Sequence, residues 1–192
     1  MTAGEMTKLN PIAPVRPAPT LALACADHPA ARDAVPAAQF TGAMSTLASS
    51  VTVVTARNGA ERHGRTVTSM LSLSAEPPSV LVSITSDSEL ARIIENSGGF
   101  SLAVLAAGQR AVADAFAGWG QSERFGEADW SEWASGQPRL AGAVTSLDCV
   151  LAGSIVMDTH TLYAGIVIHT ESFPDRTPLL WHRRSYAGLD QS

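Results

Sequence analysis

Between His63 and Pro78 the chain reads HGRTVTSMLSLSAEPP, a stretch that calls for extended backbone. Hydroxyl side chains stand at Thr66, Thr68, Ser72 and Ser74, at alternating or near-alternating positions, with Ser69 beside them. A period of two sets side chains on one face of a strand. Pro77 and Pro78 then stop the pairing, because proline has no N–H to donate and biases the residue before it towards extended conformations. Such a strand can lay backbone N–H groups and small hydroxyls along a flat ligand without obstructing it. The plainer reading is a Ser/Thr-rich strand and turn that binds nothing.

The rest of the chain reads as further short strands with a few helices between them. A helix is predicted near Ala37–Ala48, with Phe40, Met44 and Leu47 on one face. The β-branched run Val51–Thr55 is a strand, and Asn58-Gly59 turns it into a hairpin with His63–Ser69. Strands are also expected at Val80–Thr85 and Phe100–Leu105, separated by a helix from Ser88 to Glu95 with Leu90, Ile93 and Ile94 inward. A third helix, Gln109–Ala117, carries Val112 and Phe116 at i, i+4, and Gly118–Pro138 reads as a loop or lid. Three strands close the chain, at Val144–Val156, Thr161–Thr170 and Leu179–His182. About seven strands joined mainly by short turns imply a mainly β domain with a few helices, an antiparallel barrel rather than a doubly wound sheet.

Composition excludes several functions. The net charge of −5 offers no global field for nucleic acid or an anionic membrane. Lys8 is the only lysine, so the domain has neither a Schiff-base nor a P-loop lysine. Cys25 and Cys149 are far apart in dissimilar settings, which supports neither a disulfide framework nor a cysteine zinc site. Residues 1–36 hold six of the 11 prolines and read as a disordered Pro/Ala-rich leader, leaving 37–192 as one domain. The brief apolar run Leu21–Ala26 is too short for a signal peptide, and no stretch approaches a membrane span, so a cytoplasmic protein is expected.

Gly118-Trp119-Gly120-Gln121-Ser122-Glu123 fails the dinucleotide fingerprint at its third glycine and comes after a helix rather than a strand, which excludes a Rossmann site. Ser86-Asp87-Ser88-Glu89 opens the second helix, where free N–H groups and the helix dipole can hold phosphate, with Arg92 one turn on. The same residues fit an S-x-x-E capping box, Ser86 with Glu89, that needs no ligand. His160 and His169 lie on opposite sides of one strand's alternation and cannot readily share a metal; no metal site is expected.

Several of these stretches occur in one order: Thr66–Ser69, Ser83–Ser88, Gly99–Leu105, Arg124-Phe125, Thr159–Gly165 and Arg183–Tyr186. In that order and spacing the chain, from Phe40 to Leu189, resembles the short-chain flavin reductases that supply reduced flavin to two-component monooxygenases. The resemblance implies a split β-barrel that dimerises, with flavin held near the interface. It implies flavin contacts from Thr66, Val67, Thr68 and Ser69, continued by Ser83, Ile84, Thr85 and Ser88. Phe116 matches a phenylalanine ending the third helix, and is equally well a core residue. His160 falls where the family has Gly-Asp-His, here Asp158-Thr159-His160; the resemblance implies that it binds the nicotinamide nucleotide or, as the one catalytic residue, tunes proton delivery to the flavin, while the plainer reading is a solvent-facing turn histidine. Arg183, Arg184 and Tyr186 match a basic-plus-tyrosine ending that would meet the nucleotide's phosphates or guard the sheet edge. The expected enzyme is an NAD(P)H-dependent flavin reductase using FAD, preferred over FMN, with NADH or NADPH as donor and a separate monooxygenase as consumer. Its rivals are a flavin-binding sensor module without turnover and a split-barrel oxidase of a small phosphorylated substrate.

Overall fold

The computed structural model describes residues 18–119 and 123–189. In chain order they form β1 (Thr20–Leu23), α1 (Ala37–Met44), β2 (Ser49–Ser50), β3 (Thr52–Asn58), β4 (Glu61–Val67), β5 (Met70–Ala75) and β6 (Pro78–Thr85). Then come α2 (Glu89–Ser97), β7 (Gly99–Val104), α3 (Arg110–Ala117), β8 (Trp130–Glu132) and β9 (Pro138–Leu140). The chain finishes with β10 (Thr145–Met157), β11 (His160–Ser172), β12 (Leu180–His182) and β13 (Ser185–Ala187).

The main sheet runs β4-β3-β7-β10-β11-β6-β5. Its two outer strands, β4 and β5, are consecutive in the chain, joined only by Thr68 and Ser69. One nearly continuous strand thus pairs first with β3 (Val53↔Thr66) and then, past Ser69, with β6 (Met70↔Val82). The sheet curls back on itself through that change of partner, which is how the expected antiparallel split barrel arises. Where the strand leaves one partner for the other, the end of β4 and the end of β6 diverge and a wedge opens between them.

Side-chain alternation fills the interior. Val82, Ile84, Phe100, Leu102, Cys149 and Tyr163 gather in one buried cluster with Leu90, Ile93 and Ile94 of α2. The inward face read for α2 is therefore correct, and burying each such side chain contributes about 1.5–3 kcal/mol of transfer free energy. Gly165 is required where β11 crosses this cluster, because a Cβ there would lie 2.5 Å from Cζ of Phe100. A second cluster joins Val51, Val53, Leu105, Val112, Phe116 and Leu140 under α3. The buried carboxylate of Asp148 is satisfied by the Ser135 hydroxyl, which donates at 2.8 Å, and by His169 Nδ1 at 3.1 Å. A buried polar group left without such partners would cost about 1–3 kcal/mol.

Three expectations change. The region Gly118–Pro138 is not a lid: among its described residues Phe125 and Trp130 pack edge-on to each other and onto Phe116, and β8 pairs with β9. Helix α1 ends at Met44 and buries nothing; Phe40, Met44 and Leu47 are exposed. The segment expected to be a disordered leader contains β1, which pairs in parallel with the end of β10, from Thr20↔Ser154 to Leu23↔Met157. Short 3-10 turns come next, at Cys25–Asp27 and Pro29–Asp33, while residues 1–17 lie outside the described residues.

Candidate active site

The wedge between β4 and β6 is a solvent-open cleft of about 540 Å³. Its walls are Thr66, Val67, Thr68 and Ser69 on one side and Ser83, Ile84, Thr85 and Ser88 on the other, with His160 at the Thr85 end. Eight of the nine residues expected to line the flavin are thereby brought together, and the expected nicotinamide-side histidine joins them. They meet because Ser69 and Ser83 clamp the strands at the point of divergence: Ser83 N–H donates to the Ser69 carbonyl at 3.2 Å, and the Ser69 hydroxyl to the Ser83 carbonyl at 3.0 Å. Strand alternation fixes the direction of the next donors along β6. Ser83 N–H points towards β5, and Ser86 N–H points the other way, to the Thr159 carbonyl at 3.0 Å. Thr85, two residues from Ser83, therefore aims its N–H into the wedge.

Several hydroxyls do a different job from the one expected. The Thr66 hydroxyl donates to the Ala113 carbonyl of α3 at 2.7 Å. The Ser88 hydroxyl donates to the Thr85 carbonyl at 2.7 Å and accepts from Ala91 N–H at 3.2 Å. Each hydroxyl has a single proton, so Thr66, Ser69 and Ser88 hold the walls in place and offer a ligand mainly their backbone. Among the described residues, the hydroxyls of Thr68, Ser83 and Thr85 in the cleft have no such commitment. Ser88, not Ser86, is the N-cap of α2, which corrects the capping box; Ser86 Oγ lies instead 2.9 Å from Thr161 Oγ1. Arg92 does not face the cleft as an anion donor: it pairs with Glu61 at 2.9 Å and with Glu89. Its guanidinium pKa rises, through its hydrogen bonds to Glu89 and then Glu61.

Two expected site residues lie elsewhere. Phe116 is fully buried in the second core cluster, its ring against the backbone of Gly64, so it supports β4 from behind instead of facing the wedge. Arg183 sits exposed in the β12–β13 turn, its N–H bonded to the Ser45 carbonyl at 2.7 Å, and lines neither this cleft nor its neighbour. Tyr186 belongs to that neighbouring cleft, of about 220 Å³, with Trp119, Trp181 and Val51. The two clefts share Thr66, Val67 and Thr68 as a common wall. The Tyr186 hydroxyl donates to Asp114 at 2.7 Å, and burial together with that carboxylate raises its pKa. Arg65, Asp87 and Leu90 also line the main cleft. Nothing in the sequence marks Arg65 beyond its place before the hydroxyl run; Leu90 reads as core because one α2 face serves both core and cleft.

The antiparallel split barrel thus carries an open cleft walled by backbone amides and small hydroxyls. The chain belongs to the flavin reductase family: the family described as "Flavin reductase like domain" matches residues 44–190. It is 37% identical over 164 residues to an NADH:riboflavin 5'-phosphate oxidoreductase of Streptomyces pristinaespiralis, covering 84% of this chain and 92% of that relative. It is 35% identical over 150 residues to the reductase component of a Thermus thermophilus 4-hydroxyphenylacetate 3-monooxygenase, covering 78% and 95%. Among solved structures, the NADH:FAD oxidoreductase of Streptomyces globisporus, in complex with NAD and FAD fragments, superposes with a TM-score of 0.74 at 30% identity, over 81% of this chain and 93% of the other.

Proposed function

We propose that this NAD(P)H-dependent flavin reductase binds the flavin ring in the wedge between β4 and β6, against Thr66–Ser69 and Ser83–Thr85, and passes reduced flavin to a separate monooxygenase. The observation that carries the reading is the wedge itself, which Thr66–Ser69 and Ser83–Thr85 line just beyond the point where Ser69 and Ser83 clamp the strands together. These residues fit a flavin: its ring has a polar edge that wants N–H donors, and the small side chains of Thr68, Ser83 and Thr85 leave room for its flat faces. Bound flavin supplies the hydride acceptor, and the reduced ring carries negative charge along its N1–O2 edge.

The chain's own residues bind and orient. Backbone donors aimed at the polar edge favour the form that gains charge, because they are already in place when it develops. The first-turn N–H groups of α2, beside Ser88, offer an anion site without lysine. His160 lies where it can meet the nicotinamide nucleotide, and Arg65 is the cleft's arginine. Holding donor and acceptor together supplies most of the acceleration in such a transfer, so no side chain is assigned an obligatory proton step.

FAD is the preferred flavin, on the likeness to the NADH:FAD oxidoreductase of Streptomyces globisporus. The exposed apolar residues of α1 (Phe40, Met44) and of β5 (Leu71, Leu73) favour a homodimer, which light scattering would test. A diffusible product suits a cytoplasmic enzyme. His160→Ala is expected to raise the nicotinamide KM about tenfold, a loss of roughly 1.4 kcal/mol of binding, with flavin affinity little changed. The site itself is tested by Ser69→Leu, which places a branched side chain at the point of divergence. Flavin affinity by fluorescence titration should collapse while the far-UV spectrum stays native; unchanged affinity would move the ring elsewhere.

A further inference from the structure

His160 comes directly after a two-residue loop, Asp158-Thr159, between β10 and β11, and that loop is clamped from two sides. On one side stands the N-terminal strap. The Asp158 carboxylate accepts from Cys25 N–H at 3.1 Å and, at longer reach, from Ala26 N–H at 3.4 Å. The strap is itself anchored next to the loop: β1 pairs with Ser154–Met157, Ser154 N–H donates to the Pro19 carbonyl at 2.9 Å, and the Thr20 and Ser154 hydroxyls lie 3.0 Å apart. On the other side, Ser86 N–H, next to the cleft-lining Thr85, donates to the Thr159 carbonyl at 3.0 Å. Asp158 has φ +49°, a left-handed conformation that asparagine, aspartate and glycine tolerate best.

The loop's second residue reaches the imidazole directly, with Thr159 Oγ1 2.9 Å from His160 Nδ1. A hydroxyl that donates there leaves the proton of the neutral ring on Nε2 and restrains rotation of an otherwise exposed side chain. The strap lies outside the residues that match the family, 44–190, and packs behind this chain's own version of the histidine turn.

We infer that Asp158 and Thr159 are positioning residues for the reductase reaction: strap amides lock the loop through the Asp158 carboxylate, and the Thr159 hydroxyl sets the orientation and tautomer in which His160 meets the nicotinamide nucleotide. The inference rests on the role proposed for His160. Its geometry is carried by both contacts together, because the carboxylate fixes the backbone from which the hydroxyl acts.

The test uses the full chain with saturating flavin and NADH as the varied substrate, in Thr159→Val, Thr159→Ser and Asp158→Gly, each made alone and combined with His160→Ala. Asp158→Gly keeps the left-handed turn and removes only the acceptor. Thr159→Val and Asp158→Gly are each expected to raise the NADH KM about three- to tenfold with kcat within about twofold, the scale of one lost positioning hydrogen bond. Thr159→Ser should stay near the parent, and neither substitution should add anything once His160 is alanine. If His160→Ala raises KM and Thr159→Val leaves it unchanged, the positioning role is overturned while the role of His160 stands. If His160→Ala itself leaves KM unchanged, the underlying role of His160 falls first and the inference with it. Should Asp158→Gly not fold, the Thr159→Val and Thr159→Ser pair still decides.

Discussion

Gly64 is the position where a single added methyl group should be felt at the active site. It sits on β4 two residues before Thr66, opposite Thr55 on β3. A Cβ there would lie 2.5 Å from Cε1 of Phe116 and 2.8 Å from Cγ2 of Thr55. Ordinary carbon contacts are about 3.5–4.0 Å, so the ring or the strand must shift by roughly 1 Å. Phe116 cannot withdraw freely, since Phe125 and Trp130 hold its ring at centroid distances of 5.0 and 5.5 Å. Overpacking of this kind costs about 1–3 kcal/mol, which for a domain of this size lowers Tm by roughly 3–10 °C. Part of the strain should relax outward along β4 and displace Thr66–Ser69, weakening flavin binding as well. Gly64→Ala, Phe116→Leu and the double variant form a cycle read by thermal unfolding and flavin titration. The smaller leucine should make room for the methyl, so the double variant is expected to be more stable than the sum of the single effects predicts. A Gly64→Ala protein with unchanged Tm, or a strictly additive double variant, would refute this view of how the core sets β4.

Two further outcomes are expected from burial. Cys25 is exposed, whereas burial first and Asp148 second push the Cys149 thiol up to about 12; a thiol reagent should therefore modify one cysteine quickly and the second only on unfolding. His63 has its pKa lowered, by burial first and then by Arg124, and its Nδ1 is buried with no hydrogen-bond partner among the described residues. The unfolded chain then binds the proton more readily, so the stability His63 contributes is present above its unfolded value of 6.5 and is lost as pH falls below it; His63→Gln should flatten that acid-side decline in denaturant titrations.

Local chemistry was the legible part of this chain. The helical spacing of Leu90, Ile93 and Ile94, the turn at Asn58-Gly59 and the strand expected at His63–Ser69 each placed an element within a few residues of where it stands. The cleft's two walls came from the resemblance to the flavin reductases, which pointed to Thr66–Ser69 and to Ser83, Ile84, Thr85 and Ser88. Other features depend on pairings between distant residues, which no local pattern encodes. The parallel pairing of Thr20–Leu23 with β10 spans 134 residues, and nothing in a proline-rich segment announces it. The spent hydroxyls of Thr66, Ser69 and Ser88 look identical in sequence to free ones; only the positions of the Ala113, Ser83 and Thr85 carbonyls distinguish them. Phe116 was ambiguous for a related reason, since one residue at the end of a helix suits a core and a ligand wall equally.

The central claim is that this cleft brings nicotinamide and flavin together for hydride transfer. Anaerobic stopped-flow tests it most directly, mixing the protein and oxidised flavin with NADH or NADPH and tracking the flavin's visible absorbance. Rapid loss of that absorbance is expected with at least one nicotinamide, far faster than without protein, with one flavin reduced per nicotinamide oxidised. Absorbance that persists with both nicotinamides, in a folded protein that binds flavin, would contradict it.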